Sequence, residues 1–429
     1  MRSALALFRR VLFWSHLTLG VAAGLVILLM SITGVLLGFE RQTIAWLDGA
    51  PRVEVPAGAR RQSLDVLLAQ ASVSPEEVTS IALRADAGEP VTVRFRDRER
   101  GTLLLDPYRG DVVPPPADST GRKAMAALRR WHRWVGAEGG EWRERFKAVT
   151  GASNLAFLLI VLSGIWLWWP KRLTWTAVRN VLWFRGGLSP KARDFNWHNT
   201  IGFWSALPLF LVVASGVFIS YKWPGLWLDR VAGNAEERAA AIEALAASSE
   251  PTTSGARREG GEARARERVA EDASGMTPAR ASLQQFADAA MRSVPEWQSL
   301  TFTLPAAGDS VVSVAAAAGN TYRPDLRTTL RFDARTATPI AKSGYGDLSV
   351  SRQIRAWVRF GHTGEVFGWT GQLIATLASL GGVLLVWTGL ALSWRRLLAW
   401  WRRRRTPPPR VASHEMLDER TARAPQLVG

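Results

Sequence analysis

The chain has 429 residues, no cysteine, 21 tryptophans and a formal net charge of +17 at pH 7. The absence of cysteine excludes disulfides, thiolate metal sites, iron–sulfur clusters and covalent haem attachment, so any bound metal must use histidine, methionine or oxygen ligands. The positive charge does not predict nucleic-acid binding, because no nucleic-acid-binding motif accompanies it and the basic blocks flank apolar runs, as in membrane proteins.

Four apolar runs are each long enough to cross a bilayer as a helix, which takes about 20 residues. The first, residues 1–39, ends in Gly-Phe-Glu-Arg-Gln without a small-residue cleavage site, so we interpret it as a retained anchor and not as a signal peptide. The other three are residues 148–170, 197–221 and 366–394. These runs predict an α-helical membrane protein with four transmembrane helices.

Two long polar segments, residues 40–147 and 222–365, separate the apolar runs. Each contains a helical pattern followed by strand-like alternation, which predicts two small α+β domains. Within the second segment, residues 234–275 are rich in Ala, Glu, Arg and Ser and poor in large apolar side chains. We expect them to form a mobile insert.

The short segments that join or follow the apolar runs indicate the orientation in the membrane. Residues 171–196 form a basic loop with Asp194 as its only acid, and residues 395–429 form a tail that carries four consecutive arginines. The positive-inside rule places both on the cytoplasmic side. Both termini are then cytoplasmic, and the two predicted domains lie on the outer side.

The first and third apolar runs share a pattern. His16 and Gly20 correspond to His198 and Gly202, and a Gly-Val pair follows each histidine after 18 residues. The second and fourth runs also end alike, in Trp-rich and basic sequences. The chain therefore predicts two parallel repeats, each a hairpin of an outward helix, an outer domain and a returning helix.

Small residues recur along these helices. Eighteen residues make five helical turns, so Gly34 lies on the same stripe as His16. Helix–helix contact through small residues explains such a stripe equally well. Gly164 and Gly389 near the inner ends of the returning helices favour clearance for a bulky flat ligand. The clearing glycines expected on the outward helices are Gly20, Gly34, Gly202 and Gly216.

Four of the five histidines form two pairs at matched depths. His16 and His198 each lie five or six residues beyond the last cytoplasmic arginine of their helix, whereas His132 and His362 each precede a returning helix on the outer side. The fifth, His414, lies in the basic tail, where we expect it to be solvated. Imidazole pairs inside a helical bundle predict two non-covalent b-type haems, held by His16 with His198 and by His132 with His362.

The ligand set suggests what such cofactors would do. Imidazole on both faces of a haem leaves no open coordination position, so these haems would carry electrons and would not bind substrate. Zinc is the competing metal, but it needs three or four ligands at one point, and each level offers two histidines. A single histidine at a membrane interface also serves as a polar anchor, so the matched pairing is what favours haem.

These features resemble the PepSY-associated transmembrane family of bacterial inner-membrane proteins, some of which are iron-regulated di-haem siderophore-iron reductases. The likeness is carried, in chain order, by SHLTLG…SITGVLLGF, LLLDPYRGDVV with LRRWHRWVG, GIWLWWPKR, FNWHNTIGFWSALPLFLVVASGV and FGHTGEVFGW…WTGLALSWRR. These segments span most of the chain. The insert and the basic tail lie outside the likeness.

The resemblance implies PepSY-like periplasmic domains and an oxidoreductase that passes electrons across the inner membrane. Its expected acceptor is a ferric siderophore, such as a hydroxamate chelate, which releases Fe²⁺ because hard oxygen ligands hold ferric iron more tightly. The four paired histidines carry over as haem ligands. Because His132 lies eight residues before Gly140 and His362 only two before Gly364, the outer pair is not symmetric in the sequence.

Other residues and partners complete the expected site. Arg133 and Arg359 lie near the outer histidines, where they would contact haem propionates or simply flank the membrane. No dinucleotide-binding fingerprint follows a strand, so the electrons must come from membrane quinol or from a separate cytoplasmic reductase. Five tryptophans near the outer pair could pack on a porphyrin or anchor the chain at the interface: Trp131, Trp134, Trp142, Trp357 and Trp369.

Two other function classes remain open. The chain could be a non-enzymatic PepSY-domain sensor or assembly factor whose helices are only an anchor. It could also be a transporter, as repeat symmetry would allow, but the apolar runs carry no carboxylate in their central portions to couple protons or sodium.

Overall fold

The computed structural model describes residues 2–97, 99–114, 119–168, 174–249, 281–304, 310–320 and 322–405. Four of its helices are long and apolar enough to cross a membrane: Ala4–Leu37, Gly140–Trp168, Pro190–Ser220 and Glu365–Arg405. These four helices confirm the α-helical membrane protein with four spanning helices that the sequence predicts. His414, the basic tail from residue 406 and residues 250–275 of the predicted insert lie outside the described residues.

The described elements follow the chain in this order. The helices are α1 Arg2–Leu37, α2 Glu40–Asp48, α3 Leu64–Gln70, α4 Thr120–Trp134, α5 Gly140–Trp168, α6 Trp175–Leu182, α7 Pro190–Ser220, α8 Trp223–Ala232, α9 Ala235–Ser249, α10 Leu283–Ser293, α11 Val350–Thr363 and α12 Gly368–Arg405. The strands are β1 Val78–Arg84, β2 Val91–Phe95, β3 Thr102–Leu105, β4 Ser299–Thr303, β5 Val311–Ala317, β6 Arg327–Asp333 and β7 Pro339–Gly344.

The four long helices form a closed ring. α1 packs against α5 and α12, and α7 packs against the same two helices, so α1 and α7 occupy opposite corners of the bundle. The starts of α1 and α7 and the ends of α5 and α12 meet at one end, which also carries residues 174–189. We call this the loop end. The opposite end, from which the sheet domain extends, is the domain end.

The middle of the bundle is filled by hydrocarbon. Val161, Leu209 and Val213 are buried there, and the ring of Phe157 packs against them. The ring extends from α5 across to α12, where a Cβ on Gly382 would lie 3.5 Å from its Cζ atom. A glycine at that point leaves room for the aromatic ring and for the Ser31 hydroxyl, whose oxygen would lie 2.9 Å from the same Cβ.

The strands form one antiparallel sheet in the order β3-β2-β1-β4-β5-β6-β7. β1 comes from the first polar segment and β4 from the second, and they pair directly with Ala82 opposite Thr301. Helices α3 and α10 contribute to the same core as the strands, and the fully buried members of that core include Ile81, Phe286 and Phe302. The two polar segments therefore fold together.

Two separate α+β domains, as expected from the sequence, are thus corrected to a single shared domain. Each segment does supply a helix followed by strands. In a separate domain, however, β1 and β4 would each be an exposed edge strand, and their pairing removes both edges. The two helices also cap each other, since the Asp65 carboxylate accepts hydrogen bonds from the N–H groups of Leu283 and Gln284 at 2.8 and 3.0 Å.

Two buried aspartates fix short helices against each other at the domain end. Asp48 at the end of α2 accepts hydrogen bonds from the N–H groups of Gly121 and Arg122, at 2.6 and 3.0 Å, in the first turn of α4. Asp229 on α8 likewise accepts from the Ser351 hydroxyl and from the Arg355 guanidinium in α11. Each carboxylate fixes the start of a helix whose other end carries a histidine of the predicted site.

Disulfide formation tests the shared sheet, because the chain has no cysteine of its own. Ala82→Cys combined with Thr301→Cys places two thiols directly opposite each other on β1 and β4, where paired Cβ atoms lie about 5 Å apart. We expect mild oxidation to link them efficiently, as measured by mass spectrometry of unreduced peptides.

The matched control is Ala82→Cys combined with Thr329→Cys. Thr329 lies in the same row of the sheet but three strands away from β1, at roughly 14 Å, which is too far for a disulfide. Failure of the first pair to link, or equal linking in both, would contradict a common sheet.

Candidate functional site

The first histidine pair lies at the loop end of the bundle. His16 on α1 and His198 on α7 face each other from opposite corners, with ring centres 6.4 Å apart and ring planes at 80°. Both side chains are partly buried. Because their helices lie diagonally across the ring of four, the space between these imidazoles is the interior of the bundle.

The second pair lies at the domain end. His132 near the end of α4 and His362 near the end of α11 have ring centres 6.4 Å apart and ring planes at 60°. α4 packs against α1, and α11 packs against α7, so each helix delivers its histidine to the top of the bundle. His132 and His362 are also paired in the prediction from the sequence. The turns that follow the two histidines differ.

Those turns explain the asymmetric spacing in the sequence. After His132 the chain reverses through Val135 and Gly136, which have positive φ values of 52° and 81°, before α5 begins. After His362 the reversal takes fewer residues, because α11 ends directly at Gly364 with φ 75°. The longer first turn thus folds back, as it must to bring His132 over the bundle.

A hydroxyl group on a long helix holds each imidazole of the loop-end pair. Nδ1 of His16 lies 2.8 Å from Oγ of Ser163 on α5. Nδ1 of His198 lies 2.9 Å from Oγ1 of Thr388 on α12. The two imidazoles on one diagonal are therefore held by the two helices of the other diagonal.

The domain-end pair is held in the same way. Nδ1 of His132 lies 2.9 Å from Oγ1 of Thr33 on α1. Nδ1 of His362 lies 3.1 Å from Oγ of Ser215 and 2.9 Å from the carbonyl oxygen of Val212, both on α7. All four imidazoles thus use the same ring nitrogen for their contact with the protein.

These hydrogen bonds fix the tautomer of each ring. Every one of the four hydroxyls donates its single hydrogen to a carbonyl of its own helix, as Ser163 does to Ile160 at 3.0 Å and Thr33 does to Leu29 at 2.7 Å. With its hydrogen directed to that carbonyl, the hydroxyl oxygen accepts from Nδ1–H. At His362 the Val212 carbonyl, which can only accept, requires the same tautomer. Nε2 is left with a free lone pair, and no hydrogen-bond partner for any of the four Nε2 atoms occurs among the described residues.

A glycine follows each of the four hydroxyl residues. A Cβ on Gly164 would lie 3.4 Å from Cε1 of His16, and one on Gly389 would lie at the same distance from Cε1 of His198. A Cβ on Gly34 would lie 3.6 Å from Cε1 of His132. In these three helices the Ser/Thr-Gly dipeptide therefore both binds an imidazole and gives it room against the helix backbone.

Three further glycines were expected to leave clearance for a ligand, and the structure distinguishes them. A Cβ on Gly20 would meet nothing within 4 Å, and one on Gly202 would meet only the Leu385 side chain at 3.5 Å. The expectation is wrong for Gly216, where a Cβ would lie 2.9 Å from the amide nitrogen of Asn154. Gly216 instead allows α5 and α7 to pack closely, with the Asn154 amide donating to the Val213 carbonyl.

The sequence analysis did not identify the four hydroxyl residues Thr33, Ser163, Ser215 and Thr388. Their signal is nevertheless present, because a Ser/Thr-Gly dipeptide occurs in each of the four apolar runs, although the second and fourth runs contain another such dipeptide at Thr150 and Thr370. A hydroxyl residue in a membrane helix ordinarily bonds only to its own backbone, so its role toward a distant histidine emerges only from the packing.

The domain-end imidazoles are neutral at pH 7. Burial lowers the pKa of His132 to about 4, with a smaller contribution from the nearby His362. Burial also lowers the pKa of His362, although its hydrogen bond to the Val212 carbonyl opposes the shift. Neutral imidazole is the form that binds a metal ion.

The two predicted arginines share a basic surface beside this pair. The Arg133 guanidinium lies 4.8 Å from the centre of the Trp134 ring, and that of Arg359 lies 5.8 Å from the centre of the Phe360 ring. Burial and the nearby charges of Arg143 and Arg359 lower the pKa of Arg133. The five tryptophans predicted at this level differ in exposure, since Trp357 donates to the Tyr345 hydroxyl and the most exposed are Trp131, Trp142 and Trp369.

The donor set at each level fits the axial positions of a metalloporphyrin. In the described part of the chain, no group of three or more His, Cys, Asp or Glu side chains could enclose a metal ion, whereas a structural zinc site needs four ligands. Two imidazole–metal bonds of about 2 Å each, with roughly 1 Å from each nitrogen to its ring centre, require ring centres about 6 Å apart. The observed separation is 6.4 Å at both levels.

Residues 13–396 of the chain match the family model described as the PepSY-associated TM region. The matched range includes all four paired histidines and the four hydroxyl residues that hold them. No curated protein matches the chain.

Proposed function

Because the chain belongs to the PepSY-associated TM family, we propose that it is a bacterial inner-membrane oxidoreductase that carries electrons through two b-type haems to a ferric siderophore in the periplasm. One observation carries this proposal. Two pairs of imidazoles face each other at the separation that bis-histidine ligation requires, and each ring is held by Nδ1 so that Nε2 is free.

Each histidine pair would hold one haem, His16 with His198 at the loop end and His132 with His362 at the domain end. Bound haem supplies a one-electron couple at each level. The hydroxyl groups keep the four rings in the coordinating tautomer and raise the basicity of Nε2 by accepting from Nδ1–H. Arg133 and Arg359 are suitably placed at the domain end to accept propionate carboxylates.

The charge distribution supports an orientation in which the loop end faces the cytoplasm. α12 ends in Arg402 to Arg405, and the loop-end residue Asp194 is ion-paired with Arg193 and Arg395. Both termini then lie in the cytoplasm and the sheet domain lies in the periplasm. The two hairpins act as two parallel repeats, since each delivers one histidine to each level.

The two levels span most of the bilayer. His16 and Thr33, the α1 residues at the two levels, are 17 positions apart in the sequence, which corresponds to about 25 Å of helix. The apolar core around Phe157 lies between the two levels. An electron entering at the loop end thus leaves at the domain end without any mobile carrier inside the protein.

Electron transfer requires one partner that donates electrons and one that accepts them. Membrane quinol or a separate cytoplasmic reductase is oxidised at the loop end. Each electron that reaches the domain end reduces one chelated Fe³⁺ to Fe²⁺, and oxygen chelators hold Fe²⁺ weakly, so the iron is released. The histidines have no role in binding the chelate, because both axial positions of each haem would be occupied.

Alanine substitutions test the pairing. We expect His16→Ala and His198→Ala each to remove the same haem and leave the other, while His132→Ala and His362→Ala remove the second haem. Redox difference spectra and potentiometric titration of each purified variant distinguish the two haems. His414→Ala serves as the control and should retain both. Loss of different haems from the two members of one pair would refute the assignment.

Removal of a hydroxyl tests the tautomer argument. In Ser163→Ala, Nδ1–H of His16 loses its acceptor, so Nε2 becomes a weaker donor and stabilises ferric iron less. We expect the midpoint potential of the loop-end haem to rise, by an amount on the order of tens of millivolts, while that of the other haem is unchanged. Ser163→Thr retains a hydroxyl and should restore the original value. An unchanged potential in Ser163→Ala would show that this hydrogen bond does not act on a ligand.

Reoxidation tests the acceptor. Protein reduced with dithionite and freed of excess reductant should be reoxidised on mixing with ferric siderophores, as followed by the haem absorbance. The matched gallium complexes have nearly the same size and charge but accept no electron, so they should leave the protein reduced. If no ferric chelate reoxidises it, the protein is a cytochrome with another acceptor.

A further inference from the structure

An arginine-rich surface surrounds the domain-end histidine pair. Its members, which we call the arginine cluster, are Arg41, Arg129, Arg133, Arg143, Arg327 and Arg359. The charges of Arg143, Arg359 and Arg129 each lower the pKa of Arg133. The charge of Arg359 also lowers the pKa values of Arg41 and Arg327, in addition to the effect of burial. Each member of the cluster therefore lies close enough to Arg133 or Arg359 to repel its guanidinium group.

Aromatic rings hold much of the cluster in place. The guanidinium groups of Arg133 and Arg143 lie 4.8 and 4.1 Å from the centre of the Trp134 ring. Those of Arg327 and Arg359 lie 5.0 and 5.8 Å from the centre of the Phe360 ring. A guanidinium packed on a ring face keeps its N–H groups at the edge available for an anionic ligand.

The nearby carboxylates leave part of the cluster without a counter-charge. Glu365 is ion-paired with Arg41 at 2.7 Å, and Glu40 is ion-paired with Arg129. A third carboxylate at this level, Glu138, lies 3.4 Å from Arg130, outside the cluster. Within the described ranges, no carboxylate forms an ion pair with three other members of the cluster, Arg133, Arg143 and Arg359. All three side chains are exposed and accessible to a ligand.

The location of these three arginines matters for the reaction. Arg133 follows His132 directly on α4. Arg359 precedes His362 by three residues, which places Arg359 and His362 on the same face of α11. The positive surface therefore borders the histidine pair at which an acceptor would receive its electron. Two haem propionates would compensate at most two of these charges, so the surface stays positive when the haem is bound.

We propose that the arginine cluster selects anionic ferric chelates, of the catecholate or carboxylate class, in preference to neutral or cationic hydroxamate complexes. This inference rests on the proposed function and narrows its substrate. Arginine forks bind pairs of oxygen atoms on carboxylates and catecholates, and a concentrated positive surface raises the encounter rate of anions. A cationic chelate gains neither interaction and is repelled.

The test measures binding separately from electron transfer. Full-length protein with its haem content determined is titrated with two redox-inert gallium complexes, an anionic tris-catecholate and a cationic linear trihydroxamate, by calorimetry. We expect the anionic complex to bind at least about tenfold more tightly, and the difference to shrink as salt screens the surface. Arg143→Gln should weaken the anionic complex several-fold and leave the cationic complex unaffected.

A matched control lies half a turn along the same helix. Arg145 is ion-paired with Glu141 at 2.6 Å, and its guanidinium lies over the Trp142 ring, so Arg145→Gln should leave both affinities unchanged. Equal affinity for the two complexes in the unsubstituted protein would overturn the inference. A second result would also overturn it. If Arg143→Gln lowers the content of the domain-end haem or shifts its potential, and chelate affinity does not change, the cluster binds haem propionates and not the chelate.

Two further measurements distinguish chelate binding from lipid binding and separate the anion site from the proposed function. Repetition in nanodiscs of neutral and of anionic lipid shows whether headgroups occupy the cluster, and abolition of chelate binding by anionic lipid would contradict the inference. Haem-free protein that still prefers the anionic gallium complex would support the anion site while refuting the proposed function. Haem-loaded protein that does not discriminate between the complexes would refute the anion site alone.

Discussion

The hydrogen bond from Nδ1–H of each paired imidazole to a hydroxyl oxygen determines what the rest of the structure can do. The hydroxyl directs its hydrogen to a carbonyl of its own helix, so its oxygen accepts from the ring and Nε2 keeps a lone pair for a metal ion. The glycine after each hydroxyl residue allows the helix backbone to approach or pack closely. Bundle packing and tautomer are thus set by one dipeptide in each long helix, Thr33-Gly34 on α1 being the first example.

The sheet domain affects the spacing of the domain-end histidine pair. Because β1 and β4 pair, the two polar segments form one body, and the helices that carry His132 and His362 follow the last strand of each segment along the chain. The buried Asp48 on α2 and Asp229 on α8 fix the starts of these two helices. A bis-imidazole site tolerates displacements of only a fraction of an ångström. One shared domain gives a more constant spacing between α4 and α11 than two independent domains could.

Much of this arrangement could be predicted from the sequence, for specific reasons. Apolar runs of membrane length give the four helices, and matched depths of His16 and His198 give their pairing, because both follow from the rise of a helix. The single sheet could not be predicted, since pairing of β1 with β4 joins segments more than 200 residues apart and leaves no local pattern. The hydroxyl partners were missed for the same reason, and the role of Gly216 was misjudged because a stripe of small residues serves ligand clearance and helix contact equally well.

The most direct measurement of the central claim is pyridine haemochrome quantification of the detergent-purified protein, combined with a protein assay on the same sample. Two facing imidazole pairs with free Nε2 atoms predict a b-type haemochrome at a stoichiometry of two haems per chain. Preparations that contain no haem, even when expressed with ample haem supply, would contradict the claim and leave a four-helix anchor with one external domain.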